Sequence, residues 1–592
     1  MSDTIVKIGG AAGFWGDSSV GAPQLAEVPG MRYIVFDYLA ELTMSILAAA
    51  RAKNRDLGYA TDFVEVVARE ILANCRARGI RLIANAGGVN PAACARALER
   101  LAAELGVSLK VAVVDGDDVL ALLPRLRERG LADFYTGAPL PERLLSANAY
   151  FGALPIARAL ERGADVVVTG RVVDSAVTLG ALIHEFGWRA DDYDRLAAGS
   201  LAGHLIECGC QATGGLFTDW KDVPDWANMG YPVLECAADG SFVVTKAEQT
   251  GGIVSPPSLA EQLLYEIGDP ANYVLPDVVC DFTQVRMESA GKDRVRVTGA
   301  RGKPPTDTYK VSATHADGFR AIGTLTITGF DAAAKARRSG EAILERTRTI
   351  FRKRGLADYR AVDLSVLGTA SVYGAHARTL DLQEAVMRLA VSHSERAALE
   401  IFAREISPAG TSWSPGTTGS LNAGRPNVSP QIKQFAFLLP KSEAAARVTI
   451  GATMEEIAIP HGEDTPLRPG ADADSSGPQP PADAATVPLI RVAHGRSGDK
   501  GDNSNVGIIA RKSDYLPWIR SQVTASAVRE HLGHLVQGKV TRYSLPGINA
   551  LNFVLEQALG GGGMASLRND PLGKGMAQIV LAMPVRIPKE LL

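Results

Sequence analysis

Residues 165–175 read DVVVTGRVVDS. A short β-rich run, closed by Gly170 and followed by a helical pattern from Ala176, is one strand-to-helix step of a parallel α/β layer. The first 190 residues contain the same step four more times, at Thr4–Ile8, Tyr33–Phe36, Arg81–Ala84 and Leu109–Val114. Each run ends in Gly, Asp or Asn before a helix. The repetition predicts an α/β fold with a largely parallel sheet of Rossmann-like βα units. Parallel strands send their outgoing loops to one edge, which is where such sheets bind ligands.

The pattern changes further along. From about 232 to 330 it becomes alternating strands with turn signals, as in VLECAADGSFVVT with its Asp239-Gly240 turn, so a mixed or antiparallel region is expected. Residues 331–354 and 383–405 read as helices, and 408–430 as a long loop. Residues 461–487 hold five prolines among Gly, Ser, Ala and Asp, without an apolar period. Such a composition predicts a disordered linker between a large domain at 1–460 and a small one at 488–592. The small domain reads as an α+β unit of ferredoxin-like type, with strands at Leu489–Ala493, Val506–Ala510, Val540–Ser544 and Ala577–Met583. Its helices fall near 513–533 and at Asn549–Leu559.

Of 592 residues, 46% are hydrophobic and 21% charged, the balance of a globular chain able to bury large cores. The N-terminus shows no secretory pattern, and the apolar stretch Tyr33–Ala50 carries Asp37 and Glu41, against a membrane span. Six scattered cysteines point to reduced thiols, so a cytoplasmic location is expected. The net charge of −3 divides into +6 for 488–592 and −9 before it. A basic small domain could favour an anionic ligand or an acidic partner surface, or the opposite charges could merely assist packing of the two domains, while the lack of arginine-rich tracts argues against nucleic acid.

Five loops carry chemistry-bearing residues. In GGAAGFWGDSSVGAP (9–23), Gly10 and Gly13 allow close backbone approach and Asp17 offers a carboxylate. The loop is neither a dinucleotide fingerprint nor a Walker A loop, and a plain crossover is the alternative. In NAGGVNP (85–91), Asn85, Gly87, Gly88 and the N-cap Asn90 could receive a phosphate or carboxylate at a helix N-terminus, or simply cap it. In TGRVVDS (169–175), Arg171 and Asp174 could pair together or face a ligand. In GHLIECGCQATGG (203–215), His204 or Glu207 could do acid–base work and Cys208 could be reactive. Cys208, Cys210 and one histidine lack the spacing of a zinc site, so no metal is expected. In HGRSGDKGDNSNVG (494–507), His494, Arg496, Asp499, Lys500 and Asp502 cluster among glycines, which favours ligand binding over a bare surface loop. The glycine-rich 560–575 reads as a lid.

The motifs GGAAGFWGDS, IANAGGVNP, VVVTGRVVDSAVTLG and GHLIECGCQATGG, in this order, make the chain resemble the acyclic terpene utilisation protein AtuA family along nearly its whole length. RVAHGRSGDKGDNSNVGI is similar to the start of the family's ferredoxin-fold domain. The resemblance implies a role in the breakdown of branched acyclic terpenes such as citronellol and geraniol, through CoA thioesters. It carries no catalytic residue with it. With the substrate class that the resemblance implies, the leading reading is an enzyme acting on a branched acyl-CoA or its carboxylic acid by lyase, hydratase or hydrolase chemistry. The strand-end acid, amide, Arg and Gly-rich groups provide acid–base and anion-holding parts for it. Asp17, Arg171, Asp174 and Glu207 are its expected catalytic groups; Gly10, Gly13, Asn85, Gly87, Gly88, Asn90, His494, Arg496 and Lys500 bind the ligand. The alternative is a non-catalytic acyl-CoA-binding or enzyme-assembly protein. A small-molecule substrate and a homo-oligomer are expected; a membrane, nucleic acid and a nicotinamide cofactor are not.

Overall fold

The computed structural model describes residues 5–377, 382–421, 424–462, 470 and 477–592. All five expected runs are strands: β1 (Val6–Gly10), β2 (Met31–Phe36), β3 (Arg81–Ala84), β4 (Val111–Asp115) and β5 (Val166–Thr169). They are parallel, in the spatial order β1-β2-β3-β5-β4. Strand alternation sends Tyr33 and Val35 to one face and Ile34 and Phe36 to the other, and each set enters a separate buried cluster. Helix α1 (Glu41–Lys53) leaves the carboxyl edge after β2. Helix α2 (Pro91–Glu104) packs on the Ile34 face. Helices α3 (Leu154–Glu161), α4 (Ala176–Phe186) and α5 (Tyr193–Ile206) cover the Tyr33 face.

Strands β6 (Pro232–Cys236), β7 (Phe242–Lys246), β8 (Arg286–Ser289) and β9 (Val295–Thr298) extend this sheet antiparallel beyond β1, in the order β1-β6-β7-β9-β8. The Asp239-Gly240 turn joins β6 to β7 as expected, with Gly240 at φ +92. Helix α6 (Pro256–Leu264) starts at Ser255, whose hydroxyl accepts from the Ser258 amide in a capping box. A second sheet is built on the 21-residue β10 (Thr308–Thr328), which bends where a register shift falls between Ala316 and Phe319. β10 pairs with the short strand Ser146–Ala149 and with β12 (Glu384–His393) and β13 (Ser429–Pro440), while β11 (Ala361–Leu367) pairs with β12. Helices α7 (Ala332–Arg354) and α8 (Arg396–Ile406) pack against it. Strands β14 (Arg447–Ile450) and β15 (Thr453–Glu456) close the first sheet beyond β4.

The helix expected over 383–405 is therefore a strand followed by a helix. Glu384–His393 is rich in helix formers, but pairing on both edges with β10 and β11 overrides that local preference. Of the linker expected at 461–487, residues 463–469 and 471–476 lie outside the described residues. Ala485–Pro488, at its end, forms a strand against Pro584–Ile587 and so belongs to the small domain.

The small domain is a ferredoxin-like α+β unit with a four-stranded antiparallel sheet. Its strands are β16 (Ala493–Lys500), β17 (Asn503–Ala510), β18 (Val540–Leu545) and β19 (Ala550–Leu555), in the order β16-β17-β19-β18. Helices α9 (Leu516–Gln522), α10 (Ala525–His531) and α11 (Met576–Val580) enclose its core. The charged stretch at 494–507 is thus a hairpin, not a loop. Its glycines serve close docking: a Cβ at Gly507 would lie 2.6 Å from the Leu264 side chain, and one at Gly498 2.5 Å from Tyr265. Asn549–Leu559 is mainly strand rather than helix, because Asn549 turns at φ +54 and folds β19 back onto β18. Ala577–Met583 is helical at its start rather than a strand. The expected lid is pinned, with Arg320, Gln431 and Arg388 donating to the carbonyls of Met564, Ala565 and Leu567 at 2.7, 2.6 and 2.8 Å. Among the described residues no helix is long and apolar enough to cross a membrane.

Candidate functional site

At the carboxyl edge of the parallel strands, the residues just past β2, β3, β4 and β5 converge. Asp37 follows β2 and accepts from Asn85 Nδ2, just past β3, at 2.5 Å; Asn85 Oδ1 in turn accepts from the Tyr38 amide at 2.7 Å. Asp117, beyond β4, accepts from Asn148 Nδ2 at 2.7 Å and from the Arg171 amide at 2.8 Å. Arg171, beyond β5, is 3% exposed and lies over the Tyr150 ring at 4.1 Å. Its Nη1 donates to the Leu39 carbonyl at 3.1 Å and to Asp174 at 2.7 Å, while its buried Nε has no partner among the described residues. Burial alone would weaken this guanidinium's hold on its proton, but Asp174, Tyr150, Glu41 and Asp37 outweigh it and keep Arg171 charged.

Two more cations complete the cluster. Lys310 of β10 lies 3.8 Å from the Glu41 carboxylate, which also accepts from the Tyr150 hydroxyl at 2.7 Å. Burial opposes ionisation of Glu41, yet Lys310 and Arg171 hold its carboxyl down at about 2. Lys500, at the tip of the β16–β17 hairpin, reaches in from the small domain. It lies 3.7 Å from Glu266 and within electrostatic range of Tyr273, Asp174 and Glu41. Solvent enters between these groups, since the side chains of Lys500, Lys310 and Asp174 keep 42%, 35% and 29% of their exposure.

Around the ion pairs stand carboxyls that hold protons. Burial, together with Asp174, pushes Asp37 well up. Burial raises Asp117 to about 7, and burial with Glu266 raises Asp499 to about 7. Glu207, just past α5, is raised to about 7 by burial against the pull of His204. His204 Nδ1 is 2.8 Å from Glu207 Oε1, and its Nε2 faces the Leu263 carbonyl at 3.1 Å. With Nε2 donating to that carbonyl, one proton is shared between Nδ1 and the carboxyl, a dyad able to give or take it near neutral pH. Burial, then Glu207, pushes the Cys208 thiol well up, so it remains a thiol. Among the described residues no three His, Cys, Asp or Glu side chains are gathered as metal ligands.

The structure thus brings together Arg171, Asp174, Glu207, Asn85 and Lys500. Asp17 lies apart, accepting from the amides of Gly13 and Ser18 at 2.9 and 2.7 Å and from the Tyr231 hydroxyl at 3.2 Å. The glycines make room for the protein itself. A Cβ at Gly10 would lie 2.6 Å from the Ile206 carbonyl oxygen, one at Gly13 2.8 Å from the Cys208 backbone, and one at Gly87 2.5 Å from the Thr169 carbonyl oxygen. Asn90 heads α2 without capping it by its side chain, which donates to the carbonyls of Arg55 and Leu57 instead. His494 faces Asp219 at 2.9 Å and Arg496 donates to Gln211, so both serve the contact between the domains. A cavity of about 1100 Å³ lies elsewhere, on the outer face of β6 and β7. Within its lining Lys7 pairs with Glu235 at 3.4 Å and Lys246 with Asp293 at 3.5 Å.

Two consequences can be measured here. Gly88 sits at φ +54 with Leu47 Cδ1 2.3 Å from where a Cβ would stand. Gly88→Ala is therefore expected to lower unfolding free energy by about 2 kcal/mol or more in urea titration, through strain and overlap rather than through a lost ligand contact. Asp117 is raised from 3.8 to about 7, so its contribution to stability is complete below about pH 4 and is lost as pH rises through 7. Asp117→Asn, which keeps an acceptor for Asn148, is expected to gain on wild type over that window, by at most ~4 kcal/mol at pH 8.

Sequence reasoning missed Asp37, Glu41, Asp117, Tyr150, Glu266 and Lys310 as site residues. Asp37 and Glu41 stood out only as charges in an apolar stretch, yet an acid directly past a parallel strand is the signal that could have found Asp37. Lys310 lies inside β10, near its start, and carries no such signal.

No curated protein and no solved structure matches the chain. Family comparison matches residues 6–450 to the acyclic terpene utilisation family protein AtuA and residues 487–586 to the AtuA ferredoxin-like domain. The first match spans the strand edge, α5 and β10, and the second contains the hairpin that carries Lys500. The chain belongs to the acyclic terpene utilisation protein AtuA family, with the AtuA ferredoxin-like domain following in the same polypeptide.

Proposed function

We propose that this protein is an acid–base enzyme that adds water to, or removes it from, a branched acyclic acyl group presented as a carboxylate or CoA thioester. The observation that carries this reading is Arg171, a buried cation whose Nε is unpartnered among the described residues, set beside carboxyls that hold protons near neutrality. An anionic or carbonyl oxygen held by Arg171 draws electrons away from the β-carbon of an unsaturated acyl chain. Asp174 takes a proton from water, whose oxygen bonds to that carbon. The Glu207–His204 dyad gives a proton to the α-carbon, the double bond is consumed, and the proton on Asp174 returns to the dyad through solvent. Family membership supports the branched acyclic chain.

The test is to incubate the purified full-length protein with the CoA thioesters of the acids derived from citronellol and geraniol, and with the free acids, and to follow products by mass. A mass gain or loss of one water is the expected result. Tight binding with no product would replace the enzyme by a binding or assembly protein. Absence of both binding and product would overturn the reading of the site.

A further inference from the structure

The small domain does more than cover the strand edge. Asn505 on β17 and Asn552 on β19 are almost fully buried, and both hydrogens of each amide are committed at one place. Asn505 Nδ2 donates to the Leu264 carbonyl at 2.6 Å and to Asn552 Oδ1 at 2.9 Å, and Asn505 Oδ1 accepts from the Glu266 amide at 3.0 Å. Asn552 Nδ2 donates to the carbonyls of Ile267 and Gly268 at 2.8 and 2.7 Å. The turn so gripped passes through the left-handed region at Glu266, φ +59, a conformation that a glutamate keeps only when its surroundings enforce it. The Glu266 carboxylate then meets Lys500, which stands on the same hairpin as Asn505.

We propose that the small domain is the positioning device of the site: Asn505 and Asn552 hold the 264–268 turn so that Glu266 fixes the Lys500 ammonium opposite Asp174 as the cation that receives the ligand's anionic end. The assignment rests on the reading of the strand edge as a ligand site. Asn505, Asn552 and Glu266 act through Lys500 and are positioning residues; Lys500 touches the ligand. Burial would loosen the proton of Lys500, but Glu266, Tyr273 and Asp174 outweigh it and hold that proton firmly, which makes the amine a poor nucleophile.

Two measurements on the full-length chain test this. The first is competitive labelling with acetic anhydride at pH 8, read peptide by peptide, with the exposed Lys292 as reference. In wild type Lys500 should react about tenfold more slowly than Lys292, and Glu266→Gln or Asn552→Ala should remove most of that protection. Glu266→Gln keeps the side-chain volume and guards against loss of fold in Asn552→Ala. The second is titration with the free acid derived from citronellol. Lys500→Met should weaken its binding about tenfold while Lys500→Arg restores most of it. Labelling of Lys500 that neither variant alters would overturn the clamp, and wild-type affinity in Lys500→Met would overturn the ligand contact. A wild type that binds no acid at all would count against the proposed function, with the labelling still deciding the clamp.

Discussion

Arg171→Lys is expected to weaken binding of the acyl ligand by about a hundredfold, although it keeps the charge and removes only the planar fork. The guanidinium makes three kinds of contact from one position: the Leu39 carbonyl, the Asp174 carboxylate and the face of the Tyr150 ring. Its buried Nε has no partner among the described residues and, under the proposed function, is the donor left for the ligand. A lysine ammonium is a point charge that can reach Asp174 or the ring, but cannot do both and also present a donor beside them. Loss of a charge-assisted bond and of the ring contact together corresponds to ~3 kcal/mol. Arg171→Met should go further, since Asp174 would then stand without its partner beside Asp37 and Glu207, and unfolding free energy should fall by about 3 kcal/mol as well. Calorimetric titration of the acid and urea unfolding of both variants separate the two effects. Wild-type affinity in a folded Arg171→Lys protein would remove the anion-holding role.

The parallel core was readable because its signals are local. Each of the five strands is a short apolar run closed by a residue that breaks the pattern, and the loops past them held Asn85, Arg171 and Asp174 in plain view. The glycine loops were misleading for a physical reason. Gly10, Gly13 and Gly87 do require close backbone approach, but the approaching atoms belong to Ile206, Cys208 and Thr169. A sequence shows that room is needed without showing what fills it. Gly498 and Gly507 made a hairpin look like a loop in the same way, because their strands must lie flat against Leu264 and Tyr265. The most distant part of the site was the least legible. Glu41, Glu266, Lys310 and Lys500 meet only through the docking of β10 and the small domain onto the strand edge. No spacing within one segment records that encounter.

Glu207→Gln should separate chemistry from structure. In wild type the carboxyl is raised to about 7 by burial, so it holds a proton far above the pH at which an unfolded glutamate loses its own. The stability tied to that proton is complete below the unfolded value near pH 4 and is lost as pH rises through 7. Glutamine cannot ionise. Its amide can still donate to His204 Nδ1 while Nε2 donates to the Leu263 carbonyl, so the buried pair keeps both of its hydrogen bonds. The variant should therefore be at least as stable as wild type at pH 8, and should lack the part of the decline between pH 4 and 8 that Glu207 causes. Turnover should nevertheless fall by about 10²- to 10⁴-fold, the usual worth of a positioned acid. Binding of the free acid should change little, because Arg171 and Lys500 are untouched. In wild type the rate should fall as pH rises past about 7, where the dyad gives up its shared proton. Full turnover in Glu207→Gln would shift the acid to one of the other protonated carboxyls, Asp37, Asp117 or Asp499, of which Asp499 alone belongs to the small domain. Were that acid Asp499, the Lys500 hairpin would supply both the charge that holds the substrate and the proton that completes the reaction.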